Sequence, residues 1–208
     1  MVMKNNEELV GYLAGSARVL KTPRIQEAFK AVDRADFVVA DYHAECYEDY
    51  PLSIGHGQTI SQPSTVAFML ELLEPRWGQK ILDIGCGSGW TTALLANIAG
   101  DEGSVIGLER IPELVAFGKR NLAKYRFLNA NIEQAGDALG KESQAPFDRI
   151  LVSAGARKLP EALVAQLALG GILVAPVGNA IVRIEKRSDG TINRQVHEGF
   201  VFVPLIEA

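Results

Sequence analysis

Metal and disulfide chemistry have almost nothing to work with in this chain. Its 208 residues include two isolated cysteines, Cys46 and Cys86, and three histidines, with no C-x-x-C pair. Neither a disulfide framework nor a thiol redox centre is expected, which points to a reduced, cytoplasmic setting. His43 and Cys46 have the spacing of half a metal site, but no second pair follows, and a zinc site needs three or four ligands. A broad basic face is missing too. The net charge of −4 argues against a nucleic-acid partner held by counterion release. No apolar run approaches membrane-spanning length, and MVMKNNEELV lacks the apolar centre of a signal peptide, so no membrane partner is expected either. Three enzyme signatures also fail. The third glycine of a dinucleotide fingerprint would fall on Trp90, GDALGKE has the wrong spacing for a phosphate loop, and no G-x-S-x-G elbow surrounds Ser61.

What is present centres on residues 79–91, QKILDIGCGSGWT. A short apolar run ends in glycines at alternate positions, Gly85, Gly87 and Gly89, and the pattern then turns helical. Glycines here permit positive φ and leave room for a ligand against the backbone. The helix that follows offers unpaired N–H groups to the turn. A second strand, SVIGLE, ends in Glu109, a carboxylate able to accept both hydroxyls of a ribose. This strand–D-x-G-x-G-x-G–helix arrangement resembles motif I of S-adenosylmethionine-dependent methyltransferases.

The rest of the chain supplies the frame. Nearly half the residues are apolar (48%), enough for one domain with a buried core. Residues 4–20 and the segment opened by Pro23 read as helices that cap the core. Between Ala35 and Pro63 periodicity disappears over a stretch too long for a passive connector, and Phe37, Tyr42, Tyr47 and Tyr50 are expected to pack it down. It ends in GHGQTISQP, where Thr59 and Ser61 precede a helix beginning near Pro63. Ser61 fits two roles, a cap or near-cap residue of that helix or a hydroxyl holding an anionic ligand. Beyond motif I, helices are expected over 88–99, from Pro112 to Lys124, and over LPEALVAQLAL. Strands are expected at RFLNANI, FDRILVSAGA and GGILVAPVG. This alternation predicts a doubly wound, mostly parallel α/β sheet, whose ligands bind beyond the strands' carboxyl ends. The tail, with a turn at Asp189-Gly190, predicts an antiparallel hairpin that supplies strands six and seven.

Three stretches, PLSIGHGQTISQPSTVAFMLELL, the motif I run with IGLERIPELVAFGKRNL, and FDRILVSAGARKLPEALVAQLALGGILVAPVG, strongly resemble protein-L-isoaspartate O-methyltransferases. DFV–YEDYPL and FVFVPLI extend the likeness over nearly the whole chain. The resemblance implies a seven-stranded, Rossmann-like class I methyltransferase domain over residues 64–208, with residues 1–63 as N-terminal helices and a substrate-side loop packed on it. It implies S-adenosylmethionine as cofactor, isoaspartyl-containing proteins or peptides as partners, and a monomer. The family methylates the free isoaspartyl carboxylate; the ester then collapses to a succinimide that reopens partly as normal aspartate. The implied active-site hydroxyls are Ser61 and Thr59. The implied cofactor residues are Gln58, Asp83, Gly85, Gly87 and Ser88, Glu109 with Arg110 at the ribose, and Asp137 with Ala138 at the adenine. The chain departs from the family's usual text at Ala138, Val39 and Tyr50, and none of these removes a cofactor contact. Two rivals remain: a methyltransferase of the same architecture with another acceptor, and a nucleoside-binding protein without turnover. The first has no N-P-P-Y-like string after strand four, where SAGA stands. Intact Thr59, Ser61, Asp83 and Glu109 oppose the second.

Overall fold

The computed structural model describes residues 3–204. Helix α1 (Asn6–Gly15) starts where the side chain of Asn5 accepts the Glu8 N–H at 2.9 Å. It stops at Gly15, short of the helix expected to residue 20. Helix α2 (Pro23–Ala31) opens on proline, whose missing N–H costs nothing in a first turn. Apolar side chains of both helices, among them Leu9, Leu13, Ile25 and Phe29, share one buried cluster with Trp90, Leu94 and Ile98.

The segment between Ala35 and Pro63 is more ordered than its lack of periodicity suggested. It forms two 3₁₀ turns, Arg34–Phe37 and Ala40–Glu45, then a hairpin of β1 (Leu52–Gly55) and β2 (Gln58–Ile60). His56 and Gly57 make its tight turn with positive φ of 54° and 70°. Helix α3 (Pro63–Leu73) follows directly.

Seven strands form the main sheet: β3 (Lys80–Ile84), β4 (Ser104–Glu109), β5 (Ala130–Gln134), β6 (Phe147–Val152), β7 (Leu167–Val177), β8 (Ala180–Lys186) and β9 (Ile192–Glu198). Their order is β5-β4-β3-β6-β7-β8-β9. The first five run parallel, and β8 and β9 close the sheet antiparallel as the tail predicts. Successive strand residues face opposite sides. Ile81 accordingly enters the cluster shared with the N-terminal helices, while Leu82 and Ile84 join a second cluster with Ile150, Leu163 and Leu173. Helices α4 (Trp90–Ala99), α5 (Pro112–Ala123) and α6 (Glu161–Ala165) complete the crossovers.

Two expectations need correction. The helix expected over residues 159–169 is only the five residues of α6, because Leu167 pairs with Phe147 and the run from Leu167 enters β7. A short apolar run between turn signals does not by its periodicity distinguish helix from buried strand. The final FVFVPLI is no strand where it is described. The chain leaves β9 through Gly199, and the Gly155 N–H donates to the Val203 carbonyl at 2.7 Å, which brings the tail across the end of β6. Leu205 and Ile206 of that string lie outside the described residues.

One close approach governs the strand-to-helix turn. A Cβ on Gly118, in α5, would stand 2.9 Å from the Gly87 carbonyl oxygen and 2.9 Å from Ile132 Cδ1. A Cβ on Gly89 would meet Ile132 Cδ1 at 2.9 Å and the Gly118 carbonyl oxygen at 3.2 Å. Gly118→Ala must therefore push α5 off the turn. We expect a loss of about 1–3 kcal/mol, as for an overpacked core, read from urea denaturation midpoints. Weaker binding of S-adenosylhomocysteine, read by calorimetry, should accompany it.

Candidate active site

The turn after β3 is held from two sides. The Gly85 and Cys86 N–H groups donate to the Leu108 carbonyl at 2.8 and 3.2 Å, so the turn is tied to the end of β4. Gly85, Gly87 and Gly89 have φ of 72°, 51° and 87°, the left-handed region that glycine enters without a Cβ penalty. Next to the turn stands Glu109, the last residue of β4. Its Oε2 accepts the Gly87 N–H at 3.0 Å, and its Oε1 accepts the N–H groups of Arg110 and Ile111 at 2.7 and 2.9 Å. An ionised carboxylate has about four lone-pair positions, so with three taken about one remains for a further donor such as a hydroxyl.

A cavity of about 640 Å³ opens beyond the carboxyl ends of the parallel strands. This is the position expected of a doubly wound sheet and a volume typical of small-molecule sites. Gln58 and Thr59 from β2, Gly85 and Gly87, Glu109 and Arg110, and Asp137 and Ala138 all line it. Ile84, Leu108 and Leu139 add apolar wall. A glycine turn open to close approach, a carboxylate at a strand tip and apolar wall beside Asp137 suit an amino acid, a ribose and a flat base. The residues present thus fit a nucleoside cofactor of the adenosylmethionine type.

Ser61 and Ser88 lie elsewhere, in an adjoining recess of about 30 Å³. Ile60, Val66, Cys86, Trp90 and Thr91 complete that recess, and Thr59, Gly85, Gly87 and Ser153 border both spaces. The structure also separates the two readings of Ser61. Gln62 occupies the N-cap of α3, and Asp49 Oδ1 accepts the Ser64 N–H at 2.9 Å. Ser61 does not cap the helix. Two lining features escaped the sequence. Ser153 had a signal, a hydroxyl among small residues at a strand's carboxyl end; the wall made by Val203 and Pro204 had none, because only tertiary contact returns the tail to Gly155.

Asp83 touches neither space. It is fully buried behind the turn, where Oδ2 accepts the hydroxyls of Thr91 and Thr92 at 2.6 and 2.7 Å and Oδ1 accepts that of Ser153 at 3.1 Å. Its part in the site is to fasten β3, α4 and the end of β6 to one another. Burial pushes its carboxyl pKa up, only partly offset by the three hydroxyl donors. A carboxyl with a raised folded value stabilises the protonated folded form, and this contribution fades as pH rises past the unfolded value near 4. The stability of Asp83→Asn relative to the parent should therefore improve as pH rises from about 4 toward neutrality, checked by denaturation midpoints across that range. Asp83→Ala, which orphans buried hydroxyls, should cost about 1–3 kcal/mol or more at neutral pH.

Comparison with known proteins agrees with this geometry. The family model described as protein-L-isoaspartate(D-aspartate) O-methyltransferase matches residues 4–208. A Methanopyrus kandleri protein-L-isoaspartate O-methyltransferase is 45% identical over 192 residues, covering 90% of this chain and 85% of that protein. One from Trichlorobacter lovleyi is 43% identical over 204 residues, covering 96% and 90%. A solved Plasmodium falciparum structure described as a protein of this kind, in complex with S-adenosyl-L-homocysteine, superposes with a TM-score of 0.88 at 27% identity, covering 99% of this chain and all of that one. The chain belongs to the protein-L-isoaspartate(D-aspartate) O-methyltransferase family.

Proposed function

We propose that this chain methylates the free carboxylate of L-isoaspartyl residues in damaged proteins and peptides, with S-adenosylmethionine as donor. The observation that carries the reading is the pair of joined spaces: a nucleoside-sized cavity bounded by Glu109 and the glycine turn, and a small hydroxyl-lined recess reached past Thr59. S-adenosylmethionine would supply, when bound, a methyl on a cationic sulfur, open to in-line attack by an acceptor oxygen that forms the O–C bond as the C–S pair stays with the departing thioether. The acceptor needs no activation. A carboxyl with a pKa of about 4 is already ionised at neutral pH, so no general base is required. Neither space is lined by histidine among the described residues.

The protein's contribution is then to hold two groups in line, which is worth about 7–11 kcal/mol of barrier when the alignment is good. Glu109 accepts a ribose hydroxyl, with Arg110 beside it. Gln58, Gly85 and Gly87 approach the amino-acid end, with Ser88 on the recess side of the turn, and Asp137 and Ala138 approach the base. Asp83 acts from behind by fixing the turn. Ser61 donates its hydroxyl to the acceptor carboxylate and orients it, with Thr59 at the junction of the two spaces. No helix among the described residues is long and apolar enough to cross a membrane. The reading has the protein acting on peptide segments as a cytoplasmic monomer.

The decisive experiment offers labelled S-adenosylmethionine and paired peptides that differ only in aspartyl or isoaspartyl linkage. Base-labile label on the isoaspartyl member alone is expected; equal labelling of both, or of neither, sinks the reading. Ser61→Ala should lower kcat/KM by about 10- to 100-fold through lost alignment, while S-adenosylhomocysteine affinity stays within about twofold. Glu109→Gln should do the reverse first, weakening S-adenosylhomocysteine by about 10- to 100-fold, because charge-assisted hydrogen bonds are lost.

A further inference from the structure

Arg34 is buried to 0% exposure and forms no ion pair among the described residues. Its Nη1 donates to the Cys46 carbonyl at 2.6 Å, and its Nη2 to the carbonyls of Tyr50 and Ser61 at 3.3 and 3.1 Å. Its guanidinium carbon lies 5.3 Å from the centre of the Trp90 ring. A buried cation that meets only carbonyls and an aromatic face is costly, since a carboxylate partner would ordinarily neutralise it. Asp49 is near enough to attract it, but that carboxylate is engaged by the Ser64 N–H at 2.9 Å and the Tyr12 hydroxyl at 3.3 Å. Burial lowers the guanidinium to about 10, so it remains charged at neutral pH. Two more donors of the same stack, Arg34 Nε and Trp90 Nε1, are buried without partners.

Both of the groups that Arg34 braces face the acceptor side. Ser61 and Trp90 line the small recess, and Arg34 holds the first by its carbonyl and the second by its ring. We infer that Arg34 is a specificity-determining residue for the acceptor: a buried positive charge beneath the recess that selects an anionic side chain over a neutral one and has no hold on the neutral product. The inference rests on the carboxylate-methylating function proposed above. Its signature follows from the change in charge. The acceptor enters as an anion and leaves as an uncharged ester, so its charge is already falling in the transition state. A fixed cation therefore stabilises the bound substrate at least as much as the transition state, so its loss raises KM without lowering kcat. A residue that merely braced Ser61 would act chiefly on kcat, through lost alignment.

The test measures binding of two peptides to the full chain saturated with S-adenosylhomocysteine, one isoaspartyl and the other its neutral isoasparaginyl amide, together with turnover of the first. Wild-type protein should prefer the carboxylate by about tenfold or more, as a charge acting over several ångströms at partial burial allows. Arg34→Met and Arg34→Gln should remove most of that preference and raise KM by about tenfold, with kcat within about threefold and S-adenosylhomocysteine affinity unchanged. Arg34→Lys, which keeps the charge and loses the forked donor, should retain the preference. Loss of kcat with the preference intact would make Arg34 a brace only and overturn the inference. Should the neutral variants fail to fold, wild-type protein decides by salt. A buried charge is screened weakly, so the preference should persist between about 50 and 500 mM salt; a severalfold collapse would assign it to the exposed Lys158 at the cavity wall. An absence of methyl transfer to the isoaspartyl peptide by wild-type protein would instead defeat the function proposed above, while the binding preference still reports on Arg34.

Discussion

The site depends on a carboxylate that no ligand reaches. Asp83 sits at the end of β3 with no solvent exposure, and its hydrogen bonds run to Thr91 and Thr92 at the start of α4 and to Ser153 beyond the end of β6. An ionisable group in such a place raises the free energy of the folded state unless its partners are well placed, so three short hydroxyl contacts are the condition of its being there. They also fix what matters functionally. The glycine turn spans the gap between Asp83 and α4, and Ser153 borders both spaces, so the same bonds set the floor of the cavity and of the recess.

Around this hub the molecule divides by chemistry. On the cofactor side, three acidic groups line the cavity, Glu109 and Asp137 at or just beyond strand ends and Glu161 at the start of α6, and face a ligand that carries hydroxyls, an exocyclic amine and a cationic sulfur. On the acceptor side stand hydroxyls and, beneath them, a buried cation. The reaction brings an anion to a sulfonium and ends with both charges gone. Such a reaction needs no proton-transfer machinery, because its acceptor is already ionised, and the scarcity of histidine in the chain fits the same logic.

The acceptor side is also where stability comes least from periodic burial. The two 3₁₀ turns and the β1–β2 hairpin are short, and long-range polar contacts hold them. Tyr47 donates to Asp33 at 3.1 Å, the Asp33 N–H donates to the Tyr125 hydroxyl at 2.9 Å, and Tyr125 donates to Asp36 at 2.7 Å. Lys124, at the end of α5, adds a contact to the Asp36 carbonyl at 2.7 Å. The helix that follows Glu109 thus also anchors the segment that carries Ser61, so the two halves of the site share a support. Arg34, Tyr47 and Tyr125 do this through partners 12 to 92 residues away in the chain.

Local sequence was enough for the parts of this protein that are governed by local rules. The alternation of apolar runs and amphipathic segments specified a doubly wound sheet, because burial on two faces and on one stripe leaves different periods in the text. Two glycines after β3, Gly85 and Gly87, and the acid that ends β4 were legible as residues that line the cavity, because a positive φ and a strand-end carboxylate are requirements of single positions. The same text misjudged the run from Leu167, which is equally apolar in helix or strand and is settled by the pairing of Leu167 with Phe147 of β6. It left Ser61 between two roles until Gln62 proved to occupy the cap, and it placed Asp83 at the ligand rather than behind the turn. It carried no sign of the wall made by Val203 and Pro204 or of the cation under Ser61, since both arise where distant segments meet. Contacts of that kind leave no period in the chain, and only the tertiary structure decides them.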